Sequence, residues 1–202
     1  MTVVLVDYGS GNLRSLRAAV ERAGSDVVVA DDPETIAGAR RLMVPGQGAA
    51  GPTMATLRRT GLEKAILEAI GRGAYLLGVC VGLQLLFDSS AEDDATCLGL
   101  LPGRVELLEG TDRLPHMGWN DVEPVGPPHP LADGLPACAY FAHSYAVRDA
   151  GPAAVAETEV DGVRFTSVVA AGRVAGAQFH PERSSAAGLQ MLRGFLRWSD
   201  AA

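Results

Sequence analysis

The chain has 202 residues, of which 48% are hydrophobic and 20% are charged, and its formal net charge at pH 7 is −7. This length and composition are typical of one soluble globular domain, which we expect to span residues 1–202. The sequence argues against nucleic-acid binding, which requires basic residues to neutralise phosphates, and against a membrane span, which requires roughly 18 consecutive apolar residues.

The start of the chain and its cysteines indicate a cytoplasmic protein. The first residues run directly into an apolar segment, without the basic region of a signal peptide. Three scattered cysteines, Cys80, Cys97 and Cys138, do not suggest a disulfide framework or a CxxC metal site. We therefore expect a reducing compartment, no bound metal and no cofactor.

The first half of the chain alternates strand and helix patterns. Short apolar segments predict strands over residues 3–6, 27–30 and 42–44, and a further strand that leads into Cys80. Helical patterns predict helices over residues 12–23, 33–38 and 62–70. This order predicts an α/β fold with an open, mostly parallel central sheet flanked by helices. A functional site is then expected where the loops at Asp7, Pro45 and Cys80 follow the strands.

The second half of the chain is richer in strand patterns. These predict strands over residues 103–108, 120–125, 138–147, 153–159, 162–170 and 173–178. Hairpin signals between some of them predict an additional antiparallel β-rich portion, packed on the parallel sheet. An amphipathic pattern from about residue 184 to 198 predicts a final helix.

The strongest chemical motif is Gly78-Val79-Cys80-Val81-Gly82, between two apolar runs. A short strand, a turn with small residues around a nucleophile, and a helix form a nucleophile elbow, here with Cys in place of Ser. The glycines allow strand and helix backbones to approach closely. Unpaired N–H groups at the helix start would stabilise a thiolate. A buried structural cysteine is the alternative, and this stretch alone does not decide between them.

A second motif supplies a histidine and a carboxylate, His180 and Glu182, after the strand-like segment at Val174. Residues two apart in an extended segment project from the same face, so both side chains can reach one site unless Pro181 bends the chain. A lone histidine is more often structural. Together with the cysteine elbow, however, the pair is typical of a nucleophile, a base and an orienting acid.

Six segments of the chain resemble class I glutamine amidotransferases. The elbow, extended over residues 78–86, and Gln178-Phe179-His180-Pro181-Glu182 specify the class. Four more segments narrow the resemblance to glutaminase subunits of imidazole glycerol phosphate synthase, an enzyme of histidine biosynthesis. They are Val6-Asp7-Tyr8-Gly9-Ser10-Gly11-Asn12-Leu13, Pro45-Gly46-Gln47-Gly48-Ala49, Pro115-His116-Met117-Gly118-Trp119-Asn120 and Tyr140-Phe141-Ala142-His143-Ser144-Tyr145. The likeness spans residues 6–182, with Gln47 replacing the aliphatic residue usual in its loop.

The resemblance implies hydrolysis of L-glutamine to glutamate and ammonia through a γ-glutamyl thioester. Cys80 would be the nucleophile, His180 the general acid and base, and Glu182 the residue that orients His180. An oxyanion hole would be formed by backbone N–H groups of Val81 and of Gly46 or Gln47.

Four further residues are expected near the substrate. Gln84 lies one helical turn after Cys80, so the two side chains share a face. Gln84 would contact the α-carboxylate or the carboxamide region of the substrate glutamine. A structural role for Gln84 in a buried hydrogen-bond network is an equal alternative. The resemblance implies that the segment His143-Ser144-Tyr145 orients the α-amino and carboxylate groups through backbone and hydroxyl groups. His143 itself is expected to be structural rather than catalytic.

The resemblance also implies a partner. It points to a cyclase subunit with a (β/α)8 barrel, which would form a heterodimer with this chain and receive the ammonia. The expected docking residues are Asn12, Met117, Trp119 and Asn120. A tryptophan often anchors an interface, although a buried core tryptophan is nearly as common.

Two other functions stay open. One is a glutaminase that serves another synthase, which the Asp7-Tyr8-Gly9 and Trp119-Asn120 motifs disfavour. The other is a non-catalytic regulatory protein of the same fold, which the intact set of Cys80, His180 and Glu182 disfavours.

Overall fold

A computed structural model of the chain describes residues 2–135 and 137–199. The strands in these ranges are β1 (Thr2–Val6), β2 (Asp26–Ala30), β3 (Arg41–Val44), β4 (Tyr75–Val79), β5 (Ser89–Ser90), β6 (Ala95–Thr96), β7 (Arg104–Leu107), β8 (His116–Pro124), β9 (Ala137–His143), β10 (Tyr145–Ala146), β11 (Ala154–Val160), β12 (Val163–Ala171) and β13 (Val174–Ala177). The helices are α1 (Leu13–Ala23), α2 (Pro33–Ala37), α3 (Ala50–Thr60), α4 (Leu62–Gly71), α5 (Val81–Gln84) and α6 (Ser185–Arg197). Short 3-10 turns occur at Glu92–Asp94, Pro130–Ala132, Gly151–Ala153 and Pro181–Arg183.

Nine strands form one mixed sheet in the order β2-β1-β3-β4-β13-β12-β11-β8-β9. The first five are parallel neighbours, and the remaining pairings are antiparallel. Strands β3 and β13 are buried along their whole length, as expected of parallel strands covered by helices on both faces. The predicted α/β fold, with an antiparallel portion in the second half, is confirmed.

The antiparallel strands differ from the prediction in their placement. Strands β8, β9, β11 and β12 do not form a separate layer on the parallel sheet, because β13 inserts beside β4 with Val174 opposite Leu76 and joins them to the same sheet. Strand β12 pairs antiparallel with β13, so the hairpin that these two strands form extends the same sheet. A strand pattern indicates which residues are extended but not which edge the strand will join.

A small second sheet has the order β10-β7-β5-β6. The strand predicted over residues 138–147 is wrong in one respect, since it breaks at Ser144 and contributes to both sheets. The break allows the chain to leave β9 and pair with β7.

Helix α3 has no counterpart in the sequence prediction. Its buried residues Ala50, Thr53, Met54 and Leu57 have helical spacing, but Gly51 and Pro52 near its start weaken the pattern. Helix α1, by contrast, ends where predicted, at Gly24 with φ 108°. No helix in the described ranges is long and apolar enough to cross a membrane.

Three glycines allow the loop after β3 to lie directly against the turn after β4. A Cβ on Gly46 would lie 2.6 Å from the Val81 nitrogen, and one on Gly78 would lie 2.7 Å from the Leu83 nitrogen. A Cβ on Gly82 would overlap the carbonyl oxygen of Val44. These contacts are between backbone atoms, so only glycine fits.

Helix α6 is fixed against the turn that carries Glu182. A Cβ on Gly188 would overlap the carbonyl oxygen of Pro181. The glycine therefore sets how closely this helix approaches the turn.

We predict that Gly188→Ala lowers the Tm by about 2–12 °C. Overpacking costs about 1–3 kcal/mol, and each kcal/mol moves the Tm of a domain of this size by about 2–4 °C. Thermal unfolding measures the effect. Gly71→Ala is the matched control, because Gly71 also lies in a helix but has no neighbour within 4 Å of an added Cβ. This control should leave the Tm unchanged or raise it slightly. Equal Tm values for Gly188→Ala and the wild type would contradict the packing argument.

Candidate active site

Cys80 occupies the predicted turn between a strand and a helix. It follows β4, and its backbone nitrogen donates to the carbonyl of Ala177 over 2.8 Å. Its own carbonyl accepts from the nitrogens of Leu83 and Gln84, which begins α5. Its φ of 54° and ψ of −111° are strained for a residue with a side chain. The strain turns Cys80 out of the strand at the sheet's carboxyl edge.

His180 and Glu182 lie together, but not for the predicted reason. Strand β13 ends at Ala177, and Pro181 begins a 3-10 turn, so the two residues are not in an extended segment. The turn itself places His180 Nδ1 3.0 Å from Glu182 Oε1. The same carboxylate oxygen accepts a hydrogen bond of 2.9 Å from Asn12 Nδ2.

The charges at this pair depend on Cys80. Burial opposes a charged ring at His180, but hydrogen bonding to Cys80 and Glu182 and the charges of these two groups raise the pKa of His180 well above its usual range. Burial would also raise the pKa of Glu182, but the hydrogen bond and charge of His180, together with the Asn12 amide, lower it. The hydrogen bonds and charges around His180 therefore favour its imidazolium form.

Cys80 and His180 share a cavity of about 230 Å³. Its lining residues are Gly46, Gln47, Gly48, Cys80, Val81, Gln84, Glu92, Ala142, His143, Ser144, Tyr145, His180 and Arg183. Every residue predicted for the oxyanion hole and for the substrate is among them. The cavity is smaller than the roughly 300–1,000 Å³ typical of drug-sized ligands, so it suits a smaller molecule.

Two charged residues of the cavity were not predicted from the sequence. Glu92 is half-buried, accepts a hydrogen bond from the Ala50 nitrogen over 2.9 Å, and has a pKa raised by burial. Arg183 directly follows the His-Pro-Glu motif, and its guanidinium carbon lies 5.5 Å from the centre of the Tyr140 ring. Glu92 belongs to an acidic segment that matches no functional motif, so its place in the cavity could not be predicted from the sequence. Arg183 could have been predicted, because it directly follows the His-Pro-Glu motif.

Tyr8 holds the loop of the candidate oxyanion hole. Its hydroxyl donates to the Pro45 carbonyl over 2.7 Å. Burial is the main reason that the pKa of Tyr8 is raised to about 12. The backbone N–H of Gln47 partly offsets this rise in the pKa of Tyr8, which indicates that it faces the hydroxyl, so the N–H groups of Gly46 and Val81 are the better candidates for the oxyanion hole.

A buried hydrogen-bond network surrounds Gln84 and His143. Gln84 Nε2 and His143 Nδ1 both bond the carbonyl of Tyr145, over 2.8 and 2.9 Å. His143 Nε2 lies 3.1 Å from His116 Nδ1, so both ring nitrogens of His143 are engaged within the protein. Burial lowers the pKa of His143 to about 3, which keeps the ring neutral. Gln84 Oε1 is buried with no described partner.

The expected docking residues divide into two groups. Met117 and Trp119 are 63% and 53% exposed, so the alternative of a buried core tryptophan is wrong. Asn12 and Asn120 are instead held by hydrogen bonds within the chain: the buried Asn12 bonds Glu182, and the half-buried Asn120 bonds the Glu159 carbonyl through Nδ2, which also lies 3.2 Å from a nitrogen of His116. In the part of the chain that the structure describes, no three His, Cys, Asp or Glu side chains are arranged so that they could hold a metal ion.

Comparison with known proteins identifies the family. A family model described as "Glutamine amidotransferase class-I" matches residues 4–198. The chain belongs to the class-I glutamine amidotransferase family.

Curated relatives narrow the resemblance further. The chain is 44% identical to the imidazole glycerol phosphate synthase subunit HisH of Nitrosomonas europaea, covering 98% of this chain and 99% of the relative. It is 47% identical to the HisH subunit of Salinibacter ruber, covering 95% and 92%. A solved structure described as a glutamine amidotransferase matches with a TM-score of 0.75 at 24% identity, covering 96% of each chain, and supports the fold. The resemblance to glutaminase subunits of this synthase is thus confirmed.

The environments of the three cysteines predict different reactivities. Cys80 and Cys97 are both buried, but only Cys80 is among the residues that line the cavity, and Cys138 is exposed. Burial raises the pKa of Cys97 from 9.0 to about 11, which lowers its thiolate fraction about a hundredfold near neutral pH.

In a Cys138→Ser background, we predict that iodoacetamide at pH 7.5 modifies Cys80 at least tenfold faster than Cys97, because the thiolate is the reactive form. Peptide mapping by mass spectrometry measures the two rates. Faster modification of Cys97 in the folded chain would contradict the prediction.

Proposed function

We propose that this chain is a glutaminase subunit that hydrolyses L-glutamine to glutamate and ammonia and delivers the ammonia to a cyclase that makes imidazole glycerol phosphate. The observation that carries the proposal is the position of Cys80 and His180 in one cavity, with His180 hydrogen-bonded to Glu182. Family membership and the names of the full-length relatives support it.

Cys80 forms the thioester. Its thiolate attacks the side-chain amide carbon of glutamine, and the carbonyl oxygen becomes an oxyanion. His180, held as an imidazolium by its neighbours, protonates the departing ammonia. It then accepts a proton from the water that cleaves the γ-glutamyl thioester. Because an amide is a poor leaving group, the proton donated by His180 has the larger effect on the rate.

The oxyanion requires donors that are already in place. Gly46 and Val81 both line the cavity, and their backbones are in contact where the loop after β3 meets the turn after β4, so their N–H groups are suited to this role. In known enzymes, the loss of one such donor costs about 10²–10³ in rate.

The charged groups of the cavity match the two ends of an amino acid. The Glu92 carboxylate is an acceptor suited to the α-ammonium group. Arg183 is suited to the α-carboxylate. Because Gln84 Nε2 already donates to the Tyr145 carbonyl and to Gln178 Oε1, Gln84 is not suited to donate to the α-carboxylate.

The partner docks on the exposed surface beside the cavity. Trp119 packs against Tyr140, with ring centres 6.1 Å apart, and Met117 lies opposite Ala142, which lines the cavity. The Tyr140 carbonyl accepts a hydrogen bond of 2.9 Å from the His180 nitrogen. A (β/α)8-barrel cyclase bound here in a heterodimer would cover the exit for ammonia. A displacement of Tyr140 by the partner would be transmitted to His180 through this hydrogen bond.

The function is tested by measuring glutamate release from the chain alone, with the cyclase, and with the cyclase and its nucleotide ligand. The ligand-bound cyclase should raise the rate. The coupling would be wrong if the isolated chain already works at full rate. Absence of glutamate release under every condition would refute the glutaminase activity, and product formation only with another synthase would favour a different partner.

We predict that Glu182→Gln lowers the glutaminase kcat by about 10- to 1,000-fold. The variant retains an acceptor for His180 but loses the charge that stabilises the imidazolium, and a thiolate needs less help than the serine of proteases, where the loss is about 10⁴-fold. His180→Ala should cost more. Glu21→Gln is the matched control, because Glu21 is an exposed carboxylate paired with Arg17. Wild-type activity of Glu182→Gln would remove Glu182 from the mechanism.

We predict that Trp119→Ala weakens binding of the cyclase by tenfold or more, as expected of an aromatic anchor. Its Tm should change little, since the side chain is exposed. Val28→Ala is the control, because Val28 is an exposed apolar residue at the opposite edge of the sheet. Calorimetric titration with the cyclase measures both variants. Equal affinity of Trp119→Ala and Val28→Ala would place the interface elsewhere.

A further inference from the structure

Gln178 lies between the nucleophile and Gln84, and the proposed mechanism gives it no role. Its side chain is fully buried. Its Nε2 lies 3.8 Å from Cys80 Sγ, and its Oε1 lies 3.2 Å from Gln84 Nε2. The distance to sulfur is within the range for a hydrogen bond to this large atom. Gln178 is therefore in contact with the reacting atom.

The orientation of the Gln178 amide is determined by its neighbours. The carbonyl of Tyr145 can only accept, so Gln84 must present its NH₂ group to it. That NH₂ group also faces Gln178 and requires an acceptor there, which must be Oε1. The NH₂ group of Gln178 is consequently the one that faces Cys80.

The backbone holds Gln178 at this place. Strands β13 and β4 are parallel neighbours, with Ala177 opposite Val79, so the residues that follow each strand lie side by side. The Gln178 nitrogen donates to the Ser167 carbonyl over 2.8 Å, which attaches the segment to β12. The position follows from the sheet and needs no movement of a loop.

The contacts of Cys80 Sγ differ between its two protonation states. As a thiol, the sulfur can donate to the Ala142 carbonyl, 3.9 Å away. As a thiolate it cannot donate, and that carbonyl oxygen then faces a negative charge. The Gln178 N–H can only donate, so its contact with sulfur is strengthened when the proton leaves.

We propose that Gln178 is a further residue of the active site, a fixed hydrogen-bond donor that stabilises the Cys80 thiolate. The role of this donor in catalysis rests on the proposed function. Gln84, which faces the substrate pocket, fixes the Gln178 amide so that its oxygen cannot turn toward the sulfur. The donor acts alongside His180 and does not depend on its protonation.

The test is the pH profile of Cys80 alkylation in the Cys138→Ser background. Gln178→Met has a similar length but no donor, and it should move the midpoint of the profile upward by about one to two pH units, as expected for the loss of a hydrogen bond to a charged group. Gln178→Glu replaces the donor with an acceptor and should move the midpoint at least as far. With the cyclase present, kcat should fall by about tenfold or more while KM changes less.

The matched control is Ser167→Ala. Ser167 is also fully buried, and its hydroxyl has no described partner and no contact with the nucleophile. This variant should keep the wild-type midpoint. The other titratable groups around the thiol, namely His180, Tyr8, Glu92, His143 and Arg183, are unchanged in all variants. Circular dichroism and Tm show whether each variant is folded.

A folded Gln178→Met with the wild-type midpoint would overturn the proposal. A measurement on the unaltered side chain covers the case in which the Gln178 variants do not fold. In ¹⁵N-labelled chain, the Gln178 NH₂ resonances should shift with the midpoint of Cys80 alkylation, and resonances insensitive to it would also overturn the proposal. Neither readout requires turnover, so failure of the glutaminase assay would refute the function and leave the Gln178 result to be judged on its own.

Discussion

One steric constraint underlies the site: three stretches of backbone meet at Cys80 with no room for side chains between them. A Cβ on Gly46, Gly78 or Gly82 would overlap backbone atoms of a neighbouring segment. Glycine at these positions allows the loop after β3 to contact the turn that holds Cys80 at φ 54°. A larger residue at Gly46 or Gly82 would separate Cys80 from the loop that lines its cavity, and one at Gly78 would push the strand away from the helix that follows Cys80.

The parallel part of the sheet brings the remaining groups to this point. Cys80 follows β4, His180 follows β13 and Asn12 follows β1, and these strands all belong to the parallel portion. Since parallel strands end at the same edge, residues distant in sequence meet there. Asn12 and Glu182, 170 positions apart, are hydrogen-bonded for this reason.

Local patterns in the sequence predicted local structure well. The cysteine turn, the end of α1 at Gly24 and most strands needed only spacing and steric rules. Contacts that depend on how the whole chain folds were harder to predict from the sequence. The insertion of β13 beside β4, the inward direction of Asn12 and the presence of Glu92 in the cavity depend on how elements pack together. The pairing of His180 with Glu182 was expected, but a turn rather than a strand produces it.

The environments of His116, His143 and His180 shift the pKa values of these histidines in different directions. Burial lowers the pKa of His116 and takes that of His143 to about 3, whereas the pKa of His180 is raised despite burial, because Cys80 and Glu182 lie on either side of it. Near neutral pH, His180 therefore carries the positive charge. His116 and His143 remain neutral rings that relay hydrogen bonds from Asn120 to the Tyr145 carbonyl. Such a separation of pKa values suits the proposed mechanism, because the two neutral histidines act as a rigid support and do not compete with His180 for the proton that the proposed reaction transfers.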